Sequence, residues 1–344
     1  MVVKPLLILT LLCSAGFSAV HTAVVAKSYS LPPSNQRLIG EPTQHQVVSG
    51  DYFQRLAEQY NVGFLALIAA NPGVDPFLTY QKPSGNEVYA SLKVQAKELD
   101  KAVNSEVDGN IKTEHSRIHI PTQLLLPFVE RKGVVINLPE LRLYYFQPEQ
   151  NKVHVFPVGI GRKGLAMLNL TSYIGEKRKA PIWRPSEEMK ARYLAEKGAV
   201  LADEIPPGPT NPFGKYALRL ATSEYLIHGT NQRFGIGTRA GYGCIRMYDD
   251  DIKWLYDNVA LNTPVKIIDQ PVKMSYEKPG LKLFEVHQPL TSSNSTKQLE
   301  SGWQTLTKFI GAGQADRYRS DYDAATGLVV RVEKVTSATT QVAE

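Results

Sequence analysis

The hydrophobic positions of this chain change period twice. Between His45 and Gly73 they recur at helical spacing. Phe53, Leu56, Ala57 and Tyr60 form one apolar stripe, and Phe64 to Ala70 form a second short helical run that Asn71, Pro72 and Gly73 end. Val47 and Val48 predict a short strand ahead of the first helix. Ser49, Gly50 and Asp51 break it, and Ser49 or Asp51 can cap the helix that follows. Arg117, Ile118, His119 and Ile120 alternate before Pro121 and predict a closing strand. The order is therefore strand–helix–helix–strand, interrupted by a long insert, Phe77 to His115, in which Val88 to Val103 fits a helix.

From Gly133 the period becomes that of strands. Val134 to Leu138, Arg142 to Phe146 and Val153 to Val158 are β-branched and aromatic, separated by Pro139-Glu140 and by Pro148 to Asn151 as hairpin loops would be. Lys215 to Leu220, Tyr225 to Ile227 and Thr263 to Ile268 read as further strands. Glu187 to Lys197 reads as a charged helix. Asp249 to Val259 is a second, burying Ile252, Leu255, Tyr256 and Val259; the three aspartates of its first turn suit the helix dipole better than a metal. Beyond residue 271, Ser292, Ser293 and Ser295 suggest a linker, Trp303 to Ile310 a short amphipathic helix and Gly327 to Val335 a strand.

Composition narrows the class. A chain of 344 residues implies two or three domains, and 43% hydrophobic residues suffice for a buried core. The net charge of +6 would favour acidic polymers, but no clustered Lys/Arg tract or nucleic-acid motif accompanies it, so no nucleic-acid partner is expected. Residues 1–26 carry Lys4, an apolar run from Leu6 to Phe17 and small residues at Ala19, Ala23 and Ala26, the pattern of a secretory signal peptide. The run is too short to span a membrane, so an exported protein in the periplasm or cell envelope is expected, not an integral membrane protein. Residues 27–43, with Pro32, Pro33 and Pro42, read as a linker or extended lead-in. Of two cysteines, Cys13 falls in the expected leader. The remaining Cys244 would then be a lone thiol in an oxidising compartment, a liability unless it does chemistry.

Cys244 lies in the most distinctive stretch, Tyr225 to Met247, sixteen residues after His228. Gly229, Gly235, Gly237, Gly241 and Gly243 lie between Tyr225 and Cys244. A thiolate is the attacking form of cysteine and needs a base, which an imidazole at a strand end could supply. The Gly243 region and the Cys244 amide could form an oxyanion hole, and Arg246 could grip a carboxylate. His115 and His119 read as ordinary surface or edge residues, and no cluster with zinc spacing is visible.

His228-Gly-Thr-Asn231 and Gly241-Tyr-Gly-Cys-Ile-Arg-Met247 resemble the signature of the L,D-transpeptidase catalytic domain, the YkuD-like fold. Val135 to Phe146, Val158-Gly-Ile-Gly-Arg162, Ala180 to Ser186 and the loop Ile205 to Gly214 are similar to other parts of it. The resemblance implies Cys244 as acylated nucleophile and His228 as proton donor and acceptor. Tyr242, Gly243, Arg246, Gly229 and Thr230 become the substrate and oxyanion positions, with no metal and no cofactor. Two departures stand out: Gly241-Tyr242 replaces the family's Ser-His, and Leu165 to Gly175 replaces its Thr-Pro turn. His45 to Pro76 resembles a LysM module, a family that binds glycans containing N-acetylglucosamine. The expected fold is mainly β: a β-sandwich-like L,D-transpeptidase domain at 128–270, a small βααβ LysM-like domain at 44–127 with its insertion, and a C-terminal extension at 271–344. Trp183 and Pro185 would suit the cleft rim, and Tyr216 and Arg219 could line the site. The expected partners are peptidoglycan stem peptides and glycan, with a wall-anchored lipoprotein as one acceptor of the acyl group. The alternatives are a wall-binding protein without catalysis and an L,D-carboxypeptidase that passes the acyl group to water.

Overall fold

A computed structural model describes residues 27–78, 117–162, 169–241, 243–278, 280–290 and 295–333. The expected leader, the insert helix at 88–103 and Tyr242 lie outside the described residues. In chain order the elements are β1 (Lys27–Ser30), β2 (Leu38–Ile39), β3 (Thr43–Gln46), α1 (Phe53–Tyr60), α2 (Phe64–Ala70), β4 (Arg117–Ile120), β5 (Leu124–Leu125), β6 (Gly133–Asn137), β7 (Arg142–Gln147), β8 (Lys152–Pro157) and β9 (Leu170–Lys179). They continue with α3 (Glu187–Lys197), β10 (Tyr216–Leu220), β11 (Leu226–His228), β12 (Ile245–Arg246), α4 (Asp249–Asn258), β13 (Pro264–Ile268), β14 (Val272–Tyr276), β15 (Lys282–His287), α5 (Ser295–Ile310), α6 (Ala312–Ala315), α7 (Arg319–Ala324) and β16 (Thr326–Val332).

The fold is mainly β, as expected. Nine strands make one mixed sheet in the order β1-β8-β7-β6-β13-β9-β10-β11-β12. The near-continuous apolar runs of β6 to β8 are explained by burial on both faces. Val134, Ile136, Leu143 and Phe156 point into a core shared with Ile174, Leu218, Ile227, Ile245 and the apolar side of α4, namely Ile252 and Leu255. The alternate residues Val135, Tyr144, Phe146, Val153 and Val155 face Ile39, Leu124 and Leu126 on the other side. Each fully buried aliphatic or aromatic side chain contributes about 1.5–3 kcal/mol by leaving water. The β7–β8 turn closes through Asn151 at φ 53, a left-handed conformation that asparagine tolerates.

The N-terminal unit has the expected order, with β3 and β4 antiparallel (Thr43 opposite Ile120) around α1 and α2. Its core is Phe53, Leu56, Ala57, Phe64, Leu67, Ile118 and Ile120. Asn71, past the end of α2, explains the turn: its Nδ2 donates to Leu67 O (2.8 Å) and His119 O (2.9 Å), and its Oδ1 accepts from His119 N (2.8 Å). That locks the helix end to β4. Three expectations need correction. The strand is Thr43–Gln46, because pairing with β4 stops there and Val48 is exposed. Asp51 does not cap α1; its carboxylate instead accepts from Val48 N (2.8 Å) and meets His45 Nε2 (2.8 Å). Residues 27–43 are extended but are no free linker, since β1 pairs with β8 and β2 with β5.

Residues from Leu170, expected only as an altered turn, form the ten-residue β9 between β13 and β10. The C-terminal region is a three-stranded antiparallel sheet, β14-β15-β16, with α5 and α7 packed through Leu306, Ile310 and Tyr322. A buried ionic cluster ties it to the main sheet. Lys273 Nζ lies 3.0 Å from Glu140 and 3.0 Å from Glu285, and Arg142 Nη1 lies 3.2 Å and 3.1 Å from the same carboxylates. His287 adds Nε2 at 2.6 Å from Glu285, and Tyr144 donates to Glu140. Glu140, Glu285 and His287 would be a plausible ligand set by type. Here the Lys273 and Arg142 cations already stand between the two carboxylates. Burial pushes the Glu285 carboxyl up, but Lys273, His287 and Arg142 outweigh it and hold it well below the usual carboxylate range.

Candidate active site

Two short strands at the end of the main sheet bring the signature together. β11 and β12 run parallel, with Ile227 opposite Ile245 and His228 opposite Arg246. Ile227 and Ile245 drop into the core and fix the register. Side chains alternate along a strand, so His228 and Arg246 face away from that core, and Cys244, one step before Ile245, points the same way. A sequence separation of sixteen residues is thus reduced to neighbouring strands. Met247 N donates to His228 O (2.8 Å), continuing the ladder.

His228 is buried, with its ring 4.6 Å from that of Phe213. Its Nδ1 lies 2.6 Å from Gly229 O. A carbonyl only accepts, so Nδ1 carries the proton and Nε2 keeps its lone pair free for base chemistry. Burial, with the Arg246 guanidinium second, lowers the imidazole pKa to about 3 against a partial offset from Gly229 O. Cys244 is half-buried, and burial raises its pKa, opposed by a backbone hydrogen bond at Leu226 and by Arg246. The resting pair is therefore thiol and neutral imidazole. Arg246 favours the thiolate and disfavours the imidazolium.

The backbone around these groups is tightly specified. Gly243 has φ 125, a conformation that residues with side chains rarely adopt, immediately before Cys244. A Cβ there would lie 3.6 Å from the Tyr225 ring. Gly229 follows His228 because its missing side chain leaves room for the Asp249 carboxylate, with Ile252 Cγ2 and Phe213 O each 3.3 Å from where a Cβ would stand. Asp249 Oδ1 then accepts from Thr230 N (3.2 Å). Asp249 thus pins the His-Gly-Thr turn, while α4 is capped at Tyr248 without a side-chain bond. Thr230 is buried, and its hydroxyl accepts from Gln232 N (2.9 Å).

The loop from Ile205 to Gly214 reaches the site through Phe213. Asn211, fully buried, organises it. Its Nδ2 donates to Pro181 O (2.9 Å), Ile205 O (3.0 Å) and Pro206 O (3.1 Å), and its Oδ1 accepts from Phe213 N (2.8 Å). Trp183 bridges Ile205 and sets its ring 6.4 Å from Phe213, so the expected rim residue joins an aromatic chain ending at His228. Tyr216 and Arg219 do not join it: Tyr216 packs on Tyr256 (4.9 Å), and Arg219 pairs with Glu224 on the surface (2.6 Å). Sequence reasoning missed Asp249, Asn211, Phe213 and Tyr225 as partners of the site. For Asn211 a signal existed, an Asn-Pro inside a proline-rich loop; for Asp249 the dipole reading hid the contact.

The arrangement sets a thiol, a neutral imidazole of fixed tautomer and a guanidinium at the ends of two neighbouring strands. The model of the YkuD L,D-transpeptidase catalytic domain matches residues 131–267. The chain is 41% identical over 288 residues to the probable L,D-transpeptidase YcfS of Escherichia coli K12, covering 82% of this chain and 79% of that protein. It is 39% identical to the probable L,D-transpeptidase ErfK/SrfK of the same strain, covering 83% and 82%, and 36% identical to its probable L,D-transpeptidase YbiS, covering 92% and 94%. With the family model on the sheet that carries Cys244 and His228, and relatives matched over most of their length, the chain belongs to the L,D-transpeptidases, a family of enzymes acting on peptidoglycan.

Proposed function

We propose that Cys244 forms a thioester with the meso-diaminopimelate of a peptidoglycan stem tetrapeptide and passes it to an amine. The observation that carries this reading is the Nδ1 contact of His228 with Gly229 O, which leaves the Nε2 lone pair as the ring's proton acceptor on the strand beside Cys244. His228 takes the thiol proton as sulfur attacks the carbonyl joining diaminopimelate to D-Ala. The C–N bond breaks, and D-Ala leaves with the proton held by His228. An acceptor amine then attacks the thioester, the C–S bond breaks, and the thiol is restored. Because the resting thiol is neutral, proton transfer accompanies attack. Arg246 stabilises the charge that develops, and the Gly243 and Cys244 amides serve the oxyanion. The acceptor is a second stem peptide, giving a 3-3 cross-link, or a lipoprotein side chain. The leader-like pattern of residues 1–26 supports export to the periplasm, and the resemblance of His45 to Pro76 to a LysM module supports glycan binding by the N-terminal unit.

Intact mass after incubation with a stem tetrapeptide tests the reading beside Cys244→Ala. The expected result is an adduct on the native protein that lacks D-Ala, and none on the variant. Absence of any adduct would overturn it. Release of tripeptide without cross-linked product would transfer the reading to a carboxypeptidase.

A further inference from the structure

The loop that joins His228 to Cys244 is held from two sides. On the inner side, Gly237 N donates to Val158 O (3.2 Å), Ile160 N to Thr238 O (3.0 Å) and Gly241 N to Ile160 O (2.9 Å). On the outer side, the N-terminal helical unit closes on it. Leu65 N, in the first turn of α2, donates to Gly237 O (3.0 Å). Glu58 of α1 pairs with Arg233 (2.8 Å), and Gln54 Nε2 donates to the buried Tyr248 hydroxyl (3.2 Å), the residue just before α4.

Two glycines face each other at this contact. A Cβ on Gly63 would stand 3.2 Å from Gly237 Cα, and one on Gly237 would overlap the Gly63–Phe64 backbone. Gly237 has φ 70 and needs glycine for its own conformation. Gly63 does not: its φ of −73 and ψ of 143 are open to any residue. Contact with the loop is therefore what a side chain at Gly63 would disturb. The Glu58–Arg233 pair is partly exposed and contributes little by itself. The backbone contact at Gly237 is the one that fixes position.

We propose that α1 and α2 brace the catalytic loop, and that Gly63 is a positioning residue for Cys244 acting through Gly237. The N-terminal unit is then part of the machinery that sets the geometry of acyl transfer, as well as a module for holding the wall. This rests on the reading of Cys244 as nucleophile. Displacing reacting groups by about 1 Å costs on the order of 100-fold in rate.

The test uses the full chain with Gly63→Leu and Gly63→Ala, and Arg55→Ala on the exposed side of α1 as control. Three quantities are read: the rate of Cys244 alkylation by iodoacetamide, kcat and KM for acylation by a soluble stem tetrapeptide, and hydrogen exchange of amides in α2 and in residues 236–241. With Gly63→Leu, loop exchange quickens, alkylation changes by at least about threefold, kcat falls at least about tenfold, and KM stays within about threefold. Gly63→Ala gives a smaller change in the same direction and decides the matter if Gly63→Leu fails to fold. Native alkylation, exchange and kcat in a folded Gly63 variant would overturn the proposal. If the native enzyme is not acylated at all, the thioester reading fails, while alkylation and exchange still judge the brace.

Discussion

The buried imidazole makes a prediction about stability and activity at once. His228 is 3% exposed, and its pKa falls from 6.5 in the unfolded chain to about 3 in the folded one. The folded pKa is the lower. Between the two values the unfolded chain therefore binds a proton that the folded chain excludes. The contribution is fully present well above pH 6.5 and is lost progressively as pH falls through 6.5 toward 3. The slope is half of about 1.4 kcal/mol per pH unit at pH 6.5 and approaches the full value below it, so acidification from 6.5 to 4.5 costs about 2.3 kcal/mol at this residue. His228→Gln removes the titration. Burial also lowers the pKa of His154 and His287, but these titrate alike in both proteins. Urea unfolding at pH 6.5, 5.5 and 4.5 should give a steeper loss for the native protein than for the variant, by roughly 2–3 kcal/mol over that range. Over the same range the native acylation rate should not show the loss of a base titrating near pH 6.5. Parallel stability slopes, or a rate governed by such a titration, would refute the description of a buried neutral base.

Other changes test the frame around the site. Lys273→Met leaves Glu140 and Glu285 buried without their shared ammonium and should cost about 3–5 kcal/mol in chemical unfolding, with the C-terminal sheet exchanging first. Gly229→Ala drives a methyl into the Asp249 carboxylate that holds Thr230 N, and should slow tetrapeptide acylation on the order of 100-fold in stopped assays by mass. Asn211→Ala strands the Pro181 and Pro206 carbonyls and the Phe213 amide, while Ile205 O keeps its bond from Trp183 N. It should cost about 1–3 kcal/mol in thermal unfolding and alter the Cys244 alkylation rate through Phe213 and His228.

Much of this arrangement was legible in local sequence. Glycines 229 and 243, flanking a histidine and a cysteine, mark places where the chain must turn or approach closely, and the structure places both at such points. Phe53 to Tyr60 and Asp249 to Asn258 carried their helices in their spacing. What was hidden depends on partners distant in sequence. β1 looks like a linker because its hydrogen bonds are made by β8, and polar Lys27 and Ser28 give no hint of a strand. The strands β14 and β15 have no local signal, and nothing near Lys273, Glu285 and His287 marks them as buried, because their partners Arg142 and Glu140 come from the main sheet. Asp51 and Asp249 look like helix caps by type, yet the carboxylate of each accepts from a backbone amide outside its helix, Val48 N and Thr230 N.

The place of β13 has a consequence for assembly. Four strands, β1 and β6 to β8, lie on one side of it, and the four that build the site, β9 to β12, lie on the other. Its parallel pairing sets Val265 beside Val134 and its antiparallel pairing sets Val265 beside Ser172, so a single late segment joins both halves. Closing so long a loop is entropically costly and slow, and until it closes both half-sheets keep an open edge. A chain emerging from its amino end can form hairpins early but cannot complete the sheet before residue 268 is free. The protein thus stays threadable until most of its length has been released, and the histidine and cysteine are seated in a finished sheet only afterwards.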